Sequence, residues 1–311
     1  MQNTMLAVTD DANLSPTDHP VPAPGPGEVL VRVEYAGVNR ADLSQVAGNY
    51  PPPPGASSIL GLEVSGTRVD TGERVMALLT SGGYAQYVAV PEGQVMSVPE
   101  GIDQERAAAI PESLATAWSN LVDILKVGSG DTVLIQGGSG SLGTFAVQLA
   151  RELGANVLAT AGGPDRCRQV EELGATAIDH RGDVAEQVKH HAPDGVDAIL
   201  DIVGSDVGQM LKLLALEGRI AIISLQGGTK AEIPVGLVMV KRLSVLGSTL
   251  RSRPKEEKVE IIRDAAEFAL PRLADGRIVP FVDRAFPLGQ AKEAHEHVRS
   301  GSPFGKVVLR I

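Results

Sequence analysis

Aromatic side chains make up only 3% of this 311-residue chain, and it holds a single cysteine, Cys167. One cysteine excludes an internal disulfide and fits a reducing compartment. So few aromatics leave little material for base-stacking platforms. Basic residues are outnumbered, 28 Lys and Arg against 38 Asp and Glu, for a net charge of −10. That balance argues against a nucleic-acid or anionic-membrane surface. No apolar run approaches the ~20 residues of a spanning helix. Met1 to Val8 also lacks a basic segment followed by an apolar core. These absences predict a cytoplasmic protein with no nucleic-acid and no membrane partner.

What is present is ordinary globular composition, 43% hydrophobic and 21% charged. The length suggests about two domains. The most informative stretch is Asp131 to Asp165, DTVLIQGGSGSLGTFAVQLARELGANVLATAGGPD. Thr132 to Ile135 is a short β-branched apolar run, as in a buried parallel strand. Gly138-Ser139-Gly140-Ser141-Leu142-Gly143 follows, then a helical pattern that stops at Gly154, then a second strand from Asn156 to Thr160. The order strand, GxGxxG, helix, strand is the context that a dinucleotide cradle requires. Gly138 is expected to permit the tight turn, Gly140 to let the backbone approach a pyrophosphate, and Gly143 to let helix and sheet pack closely. The helix start at Ser141 and Leu142 offers unpaired N–H groups and a positive dipole end to phosphates.

The first 110 or so residues read as strand-rich and irregular. Strands are expected at Val29–Val33, Val64–Val69, Arg74–Leu78 and Ala85–Val90, between Gly and Pro punctuation. From Asp131 the rhythm becomes alternating strands and helices, predicting a doubly wound parallel sheet. Its third to sixth strands are Ala175–Ile178, Val196–Asp201, Arg219–Ile223 and Leu243–Leu246. Helices are expected near Asp165–Leu173, Val184–His191, Val207–Leu214 and Glu256–Ala274. The last segment matches neither half of that repeat, so it is expected to fold back onto the first domain. This makes residues 116–253 an inserted Rossmann domain within a β-rich domain of residues 1–115 and 254–311, with the cleft between them the expected active site.

Several segments carry a resemblance: Ala36 to Leu43 (AGVNRADL), Gly48 to Gly55 (GNYPPPPG), Ile59 to Gly66 (ILGLEVSG), Ala108 to Glu112 (AAIPE) and Gly305 to Leu309 (GKVVL). Together with the Gly-rich turn, they resemble the medium-chain dehydrogenase/reductase superfamily over essentially the whole chain. Within it they are most like the zinc-free quinone oxidoreductases, the zeta-crystallin-like branch. NRADL, YPPPPGAS and Thr249-Leu250-Arg251-Ser252-Arg253 are similar to the tumour-suppressor-inducible quinone oxidoreductases of animals. The resemblance implies a GroES-like catalytic domain, a Rossmann domain, NADPH as cofactor, and a homodimer formed through the last Rossmann strand.

Zinc-dependent relatives provide the first test, since a catalytic zinc needs about three Cys, His or carboxylate ligands. Where those relatives carry a ligand cysteine this chain has Asn39, and where they carry GHE it has Gly61-Leu62-Glu63. Glu63 and Glu112 alone cannot build such a site, so no metal is expected. His190-His191 and the pair His295 and His297 are read as solvated helix surface.

An NAD site usually holds an acidic residue about 20 residues past the glycines, on the ribose 2′-OH. Here the end of the second strand reads Thr160-Ala161-Gly162-Gly163, without a carboxylate. The resemblance places Arg166 where quinone reductases carry a 2′-phosphate-binding lysine, and His180-Arg181 where they carry Tyr-Arg. A guanidinium suits phosphate through its bidentate fork; the other reading of Arg166, Arg168 and Arg181 is ordinary helix and loop charge. The same relatives often have serine at Gly163, so that contact differs here.

The resemblance also assigns the catalytic set. Asn39 would hydrogen-bond the nicotinamide ribose or the acceptor oxygen. Tyr50 would stack on a quinone or donate its O–H to a developing oxyanion; the other reading is a loop-packing tyrosine. Asp42 would orient Asn39 or the pocket backbone, against the alternative of a helix-surface acid. Gln226, after the fifth strand, is either a nicotinamide carboxamide contact or part of a bare turn. Lys306 either reaches the cofactor or lies on the surface. Arg251 and Arg253 face either the pocket mouth or a partner copy. Without a Lewis acid, hydride transfer must work mainly by positioning, which an electrophilic quinone tolerates better than a simple ketone. The leading expectation is hydride transfer from NADPH to a quinone. The alternatives are a 2-alkenal or enone reductase of the same fold, and a non-catalytic NADPH-binding protein.

Overall fold

A computed structural model describes residues 3–204 and 206–311. The chain divides into two compact units, residues 1–115 with 250–311, and residues 116–249. The first unit opens with β1 (Thr4–Ala7), β2 (Thr17–Pro20), β3 (Glu28–Val38), α1 (Arg40–Val46), β4 (Glu63–Arg68), β5 (Arg74–Leu78), β6 (Tyr87–Pro91) and β7 (Val95–Ser97). After α2 (Gln104–Ala107), α3 (Pro111–Trp118) carries the chain into the second unit, continuing as a π-helical turn over Ser119–Ile124.

The second unit alternates strand and helix. β8 (Thr132–Ile135), α4 (Ser141–Glu152), β9 (Asn156–Ala161), α5 (Pro164–Glu172), β10 (Thr176–Asp179) and α6 (Val184–His191) form its first half. β11 (Val196–Asp201), α7 (Val207–Leu213), β12 (Leu214–Ile222), α8 (Val235–Lys241) and β13 (Ser244–Gly247) form the second. The chain then returns to the first unit through α9 (Lys255–Ala274), β14 (Val282–Pro287), α10 (Ala291–Arg299) and β15 (Lys306–Arg310).

Among the described residues, the second unit's sheet has the order β10-β9-β8-β11-β12-β13, every pairing parallel. This is the doubly wound order, which reverses direction between β8 and β11, and ligands bind outside the carboxyl ends of strands at such a switch point. The central strands read as continuous apolar runs because both faces are covered: Val133, Leu134 and Ile135 are fully buried, as are Ala198, Ile199 and Leu200.

In the first unit, β15 pairs antiparallel with β3, beside Val38, Gly37 and Ala36. The sheet runs β14-β15-β3-β4-β5-β7, with β6 also on β3. Its core gathers Val31, Val64, Leu60 and Tyr84 with Val307 and Leu309, so the last strand completes a core begun near the first. The Rossmann unit is thus an insertion in a GroES-like, β-rich unit.

Candidate functional site

Each turn at the carboxyl edge of the parallel sheet begins where a strand ends. After β8, Gly137 takes φ +70 and donates its N–H to Thr160 Oγ1 at 2.8 Å, while the Gly138 N–H reaches the Thr160 carbonyl at 2.8 Å. The left-handed turn residue is therefore Gly137, not Gly138 as the spacing suggested. Gly138 is needed for proximity instead, because a Cβ there would lie 2.8 Å from the Ala159 Cβ. A Cβ on Gly143 would land on the Gly137 carbonyl oxygen and lie 2.8 Å from the Gly138 Cα, so glycine lets α4 start against the turn. Gly140 differs: a Cβ there would make only an ordinary contact with the Gly137 carbonyl. Nothing in the protein demands glycine at that point, and the space is available to a ligand. Gly140 is also the N-cap of α4 and supplies no side-chain cap.

Beside this turn, Arg166 Nη1 lies 3.3 Å from Ser139 Oγ, joining α5 to the Gly-rich loop. After β9, Gly163 has φ +84, and a Cβ on it would meet the Arg181 guanidinium, with Nη1 2.5 Å away. A serine at 163 would be strained in backbone, and the end of the Arg181 side chain stands where its Cβ would project. A Cβ on Gly162 would likewise meet His180 Nε2 at 2.7 Å. Gly162 and Gly163 are thus brought together with His180 and Arg181.

Sequence reasoning missed a carboxylate at this corner. Asp179 ends β10 and accepts from the Gly163 and Arg181 N–H groups, each at 3.0 Å. Those backbone donors hold its pKa below the usual carboxylate range. The signal lay at the end of the third strand rather than the second, which the parallel pairing Asp179–Ala161 brings alongside.

The end of β11 carries Asp201, a second missed acid. Its Oδ1 accepts from the Val203 N–H (3.0 Å) and the Gly204 N–H (2.7 Å), whereas Oδ2 is buried without a partner among the described residues. Burial raises its pKa. Gln226, after β12, is exposed and donates to the Ile202 carbonyl at 3.1 Å, so it pins this loop.

A second constellation lies in the first unit. Asn39 is the N-cap of α1, and its backbone N–H donates to Asp42 Oδ2 at 2.8 Å. Its side-chain amide faces elsewhere: Nδ2 donates to Glu63 Oε1 (2.9 Å) and Oδ1 accepts from Lys306 Nζ (2.7 Å). Lys306 also donates to Glu63 Oε1 at 2.5 Å, and Glu63 Oε2 accepts the Glu112 N–H at 3.0 Å. The pair is almost fully enclosed, with side-chain exposures of 1% for Lys306 and 0% for Glu63. A Cβ on Gly37 would collide with the Glu63 carboxyl, so the glycine of AGVN makes room for it. Lys306 is therefore no surface lysine. Its ammonium is committed to Asn39 and Glu63.

Asp42 is not a surface acid either. It is buried, and besides Asn39 it accepts from the Gly61 N–H (3.2 Å) and the Tyr84 hydroxyl (3.1 Å). Burial pushes its pKa up to about 6 against these hydrogen bonds. The Tyr84 hydroxyl also lies 3.2 Å from His295 Nε2. With the phenol proton given to Asp42, His295 must be the donor, which leaves its buried Nδ1 unpartnered among the described residues. Burial lowers the His295 pKa to about 4, so the ring is neutral. The expectation that His295 lies on a solvated helix face is thus corrected: α10 turns that residue into the core, while His297 faces Asp283.

Tyr50 is tied to Arg251 rather than to the Asn39 group. The guanidinium carbon lies 5.4 Å from the Tyr50 ring centroid, and Nη1 reaches the Tyr50 carbonyl at 3.4 Å. Arg251 also donates to the Thr80 carbonyl (2.8 Å) and to Gln45 Oε1 (2.7 Å), so it is buried within the first unit. Burial is the larger influence on the Tyr50 phenol and raises its pKa, with Arg251 opposing.

Among the described residues, no three His, Cys, Asp or Glu side chains group as metal ligands, and no helix is long and apolar enough to cross a membrane. A zinc site does not fit the residues around the Asn39 side chain, because the carboxylate at hand, Glu63, is neutralised by an enclosed ammonium. A dinucleotide does fit the carboxyl edge of the sheet, where the open face of Gly140, an uncapped helix start and two guanidinium groups coincide.

Two family models match this chain. Residues 25–100 match the alcohol dehydrogenase GroES-like domain, and residues 141–267 match the family described as zinc-binding dehydrogenase. The quinone oxidoreductase of Lama guanicoe is 32% identical over 94% of this chain and 92% of its own. The quinone oxidoreductase of Thermus thermophilus, whose structures include a complex with NADPH, is 35% identical with a TM-score of 0.85 over 100% of both chains. A structure described as an NAD-dependent alcohol dehydrogenase is similar at 29% identity and TM-score 0.84, again over 100% of both chains. Two domain matches in order and full-length similarity to quinone oxidoreductases make this chain an oxidoreductase of the medium-chain dehydrogenase/reductase superfamily, in its quinone oxidoreductase branch.

Proposed function

We propose that this protein is an NADPH-dependent reductase that transfers hydride to a quinone without a metal ion. The observation that carries the reading is the Asn39–Glu63–Lys306 cluster, in which amide and ammonium occupy a carboxylate that zinc chemistry would need. Gly138, Gly140, Ser141, Leu142 and Gly143 would hold the pyrophosphate. Arg166, His180 and Arg181 beside Gly162 would hold the 2′-phosphate, since Asp179 is engaged by backbone N–H groups. Gln226, from the edge of β12, would meet the carboxamide end. The relatives solved with NADPH support this choice of cofactor.

When bound, the nicotinamide supplies the hydride. Asn39 is fixed at three atoms, and its second Nδ2 proton is the group we assign to the ribose or the acceptor oxygen. Asp42 contributes by fixing the Asn39 backbone. Tyr50 keeps its proton because burial raises its pKa, and its hydroxyl would donate to the oxygen that gains charge. The chain would act as a cytoplasmic homodimer joined through β13. In support, β13 is an edge strand, and the neighbouring α8 exposes Val235 and Met239, each at 73%.

Oxidation of NADPH and of NADH is to be measured against 1,4-naphthoquinone and 2-hexenal, with wild type and Tyr50→Phe. The proposal expects quinone turnover preferring NADPH, and a ~100-fold lower kcat in Tyr50→Phe. Turnover of 2-hexenal but not of naphthoquinone by the wild type favours enal reduction, and loss of enal turnover alone in the variant favours a proton-donor role for Tyr50. Tight NADPH binding with no turnover on either acceptor favours a binding protein.

A further inference from the structure

A cavity of about 860 Å³ lies within the first unit and shares no lining residue with the Asn39 cluster or with Tyr50. Its size is that of a small-molecule site. Apolar side chains form much of the wall, among them Val21, Pro53, Ile59 and Val88.

Two lysines of α9, Lys255 and Lys258, also line it; three residues apart, they share one helix face. Lys258 is 5% exposed, yet among the described residues its ammonium meets only neutral acceptors, Thr80 Oγ1 at 2.7 Å and the Arg251 carbonyl at 3.2 Å. An ammonium carries three donors, so one remains uncommitted. The neighbouring Arg251 is buried too and likewise bonds to neutral acceptors. Burying a cation without a counter-charge is costly. Asp42 and Asp10 act on Arg251, but among the described residues Lys258 has no such partner, and burial, with the Arg251 charge beside it, holds the Lys258 pKa below its ordinary value. Among the described residues, the one carboxylate lining the cavity, Glu28, accepts from the Gly25 N–H at 2.9 Å.

We infer that this cavity is a second binding site, for a compact organic anion with an apolar body, whose carboxylate or sulfonate pairs with Lys258 and Lys255. The apolar walls account for the body of the ligand, and the uncompensated ammonium at Thr80 accounts for its charge.

The full-length protein is to be titrated calorimetrically with 2-naphthoate and with its neutral isostere 2-naphthamide. Crystals are to be soaked with 6-bromo-2-naphthoate to locate the bromine. The inference expects naphthoate to bind ~10-fold or more tightly than the amide, the worth of one charge-assisted hydrogen bond. Lys258→Met should abolish that preference, Lys258→Arg should retain it, and the bromine should lie in the cavity beside Ile59 and Val88. Equal affinity for acid and amide overturns it, as does unchanged selectivity in Lys258→Met or a bromine anywhere else. The isostere and soaking arms need no variant, so a misfolded Lys258→Met leaves the outcome decided.

Discussion

Replacing Lys306 with methionine strands the Glu63 carboxylate in a site where both side chains are essentially closed to solvent. Removing one partner of such a pair typically costs about 3–5 kcal/mol, because the remaining charge is left without compensation. Glu63 would keep the Asn39 Nδ2 and Glu112 N–H donors, which places the expected cost toward about 3 kcal/mol. Glu63→Gln alone strands the ammonium and should cost a similar amount. The double variant Lys306→Met/Glu63→Gln buries no charge and should cost only about 1–2 kcal/mol, leaving a coupling of several kcal/mol. Guanidinium unfolding read by hydrogen exchange on peptides covering β3 and β15 reports the first unit separately, which a two-unit chain requires. Lys306→Met should also lower quinone kcat/KM, since the Asn39 amide loses the donor to its Oδ1. Single variants that each cost under ~1 kcal/mol and add in the double would refute the enclosed-pair reasoning.

Further outcomes follow from the same geometry. Arg181→Ala should cut NADPH kcat/KM ~10–100-fold and leave NADH nearly unchanged, the worth of one or two charge-assisted hydrogen bonds; a parallel loss with NADH would remove the 2′-phosphate role. Gly140→Ala should fold normally yet bind NADPH weakly, whereas Gly143→Ala should yield little folded protein, as its Cβ meets the Gly137 carbonyl; differential scanning and fluorescence titration separate the two. His295, at about 4 when folded and 6.5 by default, contributes stability that is present above pH 6.5 and lost as pH falls through 4. Wild type minus His295→Gln stability should therefore drop by about 3 kcal/mol from pH 7 to pH 4. Asp42, raised to about 6 from 3.8, works in the opposite sense: its contribution is present below 3.8 and lost as pH rises through 6. A 13C carboxyl resonance for Asp42 titrating near 4 would contradict its burial.

The parallel sheet was legible because its strands are short apolar runs separated by amphipathic helices, and Val184–His191 and Val196–Asp201 lie where periodicity placed them. β1, β2 and β7 were not foreseen, being three or four residues each and defined by their pairing rather than by pattern. α8 also escaped, because Val235, Met239 and Val240 are exposed and only Leu237 and Val238 turn partly onto the core. The Gly-rich turn announced itself, yet which glycine needs the left-handed conformation depends on Thr160 of the next strand. Burial of Asp42, His295 and Lys306 was illegible for a related reason. Glu63 meets Lys306, and Asp42 meets His295 through Tyr84, only after the last segment of the chain joins β3, and no local pattern encodes that closure.

The central claim is reduction of a quinone by NADPH without help from a metal ion. The most direct measurement is steady-state NADPH oxidation by 1,4-naphthoquinone, using protein dialysed against a strong chelator and then supplied with zinc. The account predicts the same kcat before dialysis, after dialysis and after zinc; activity lost on dialysis and restored by zinc would contradict it.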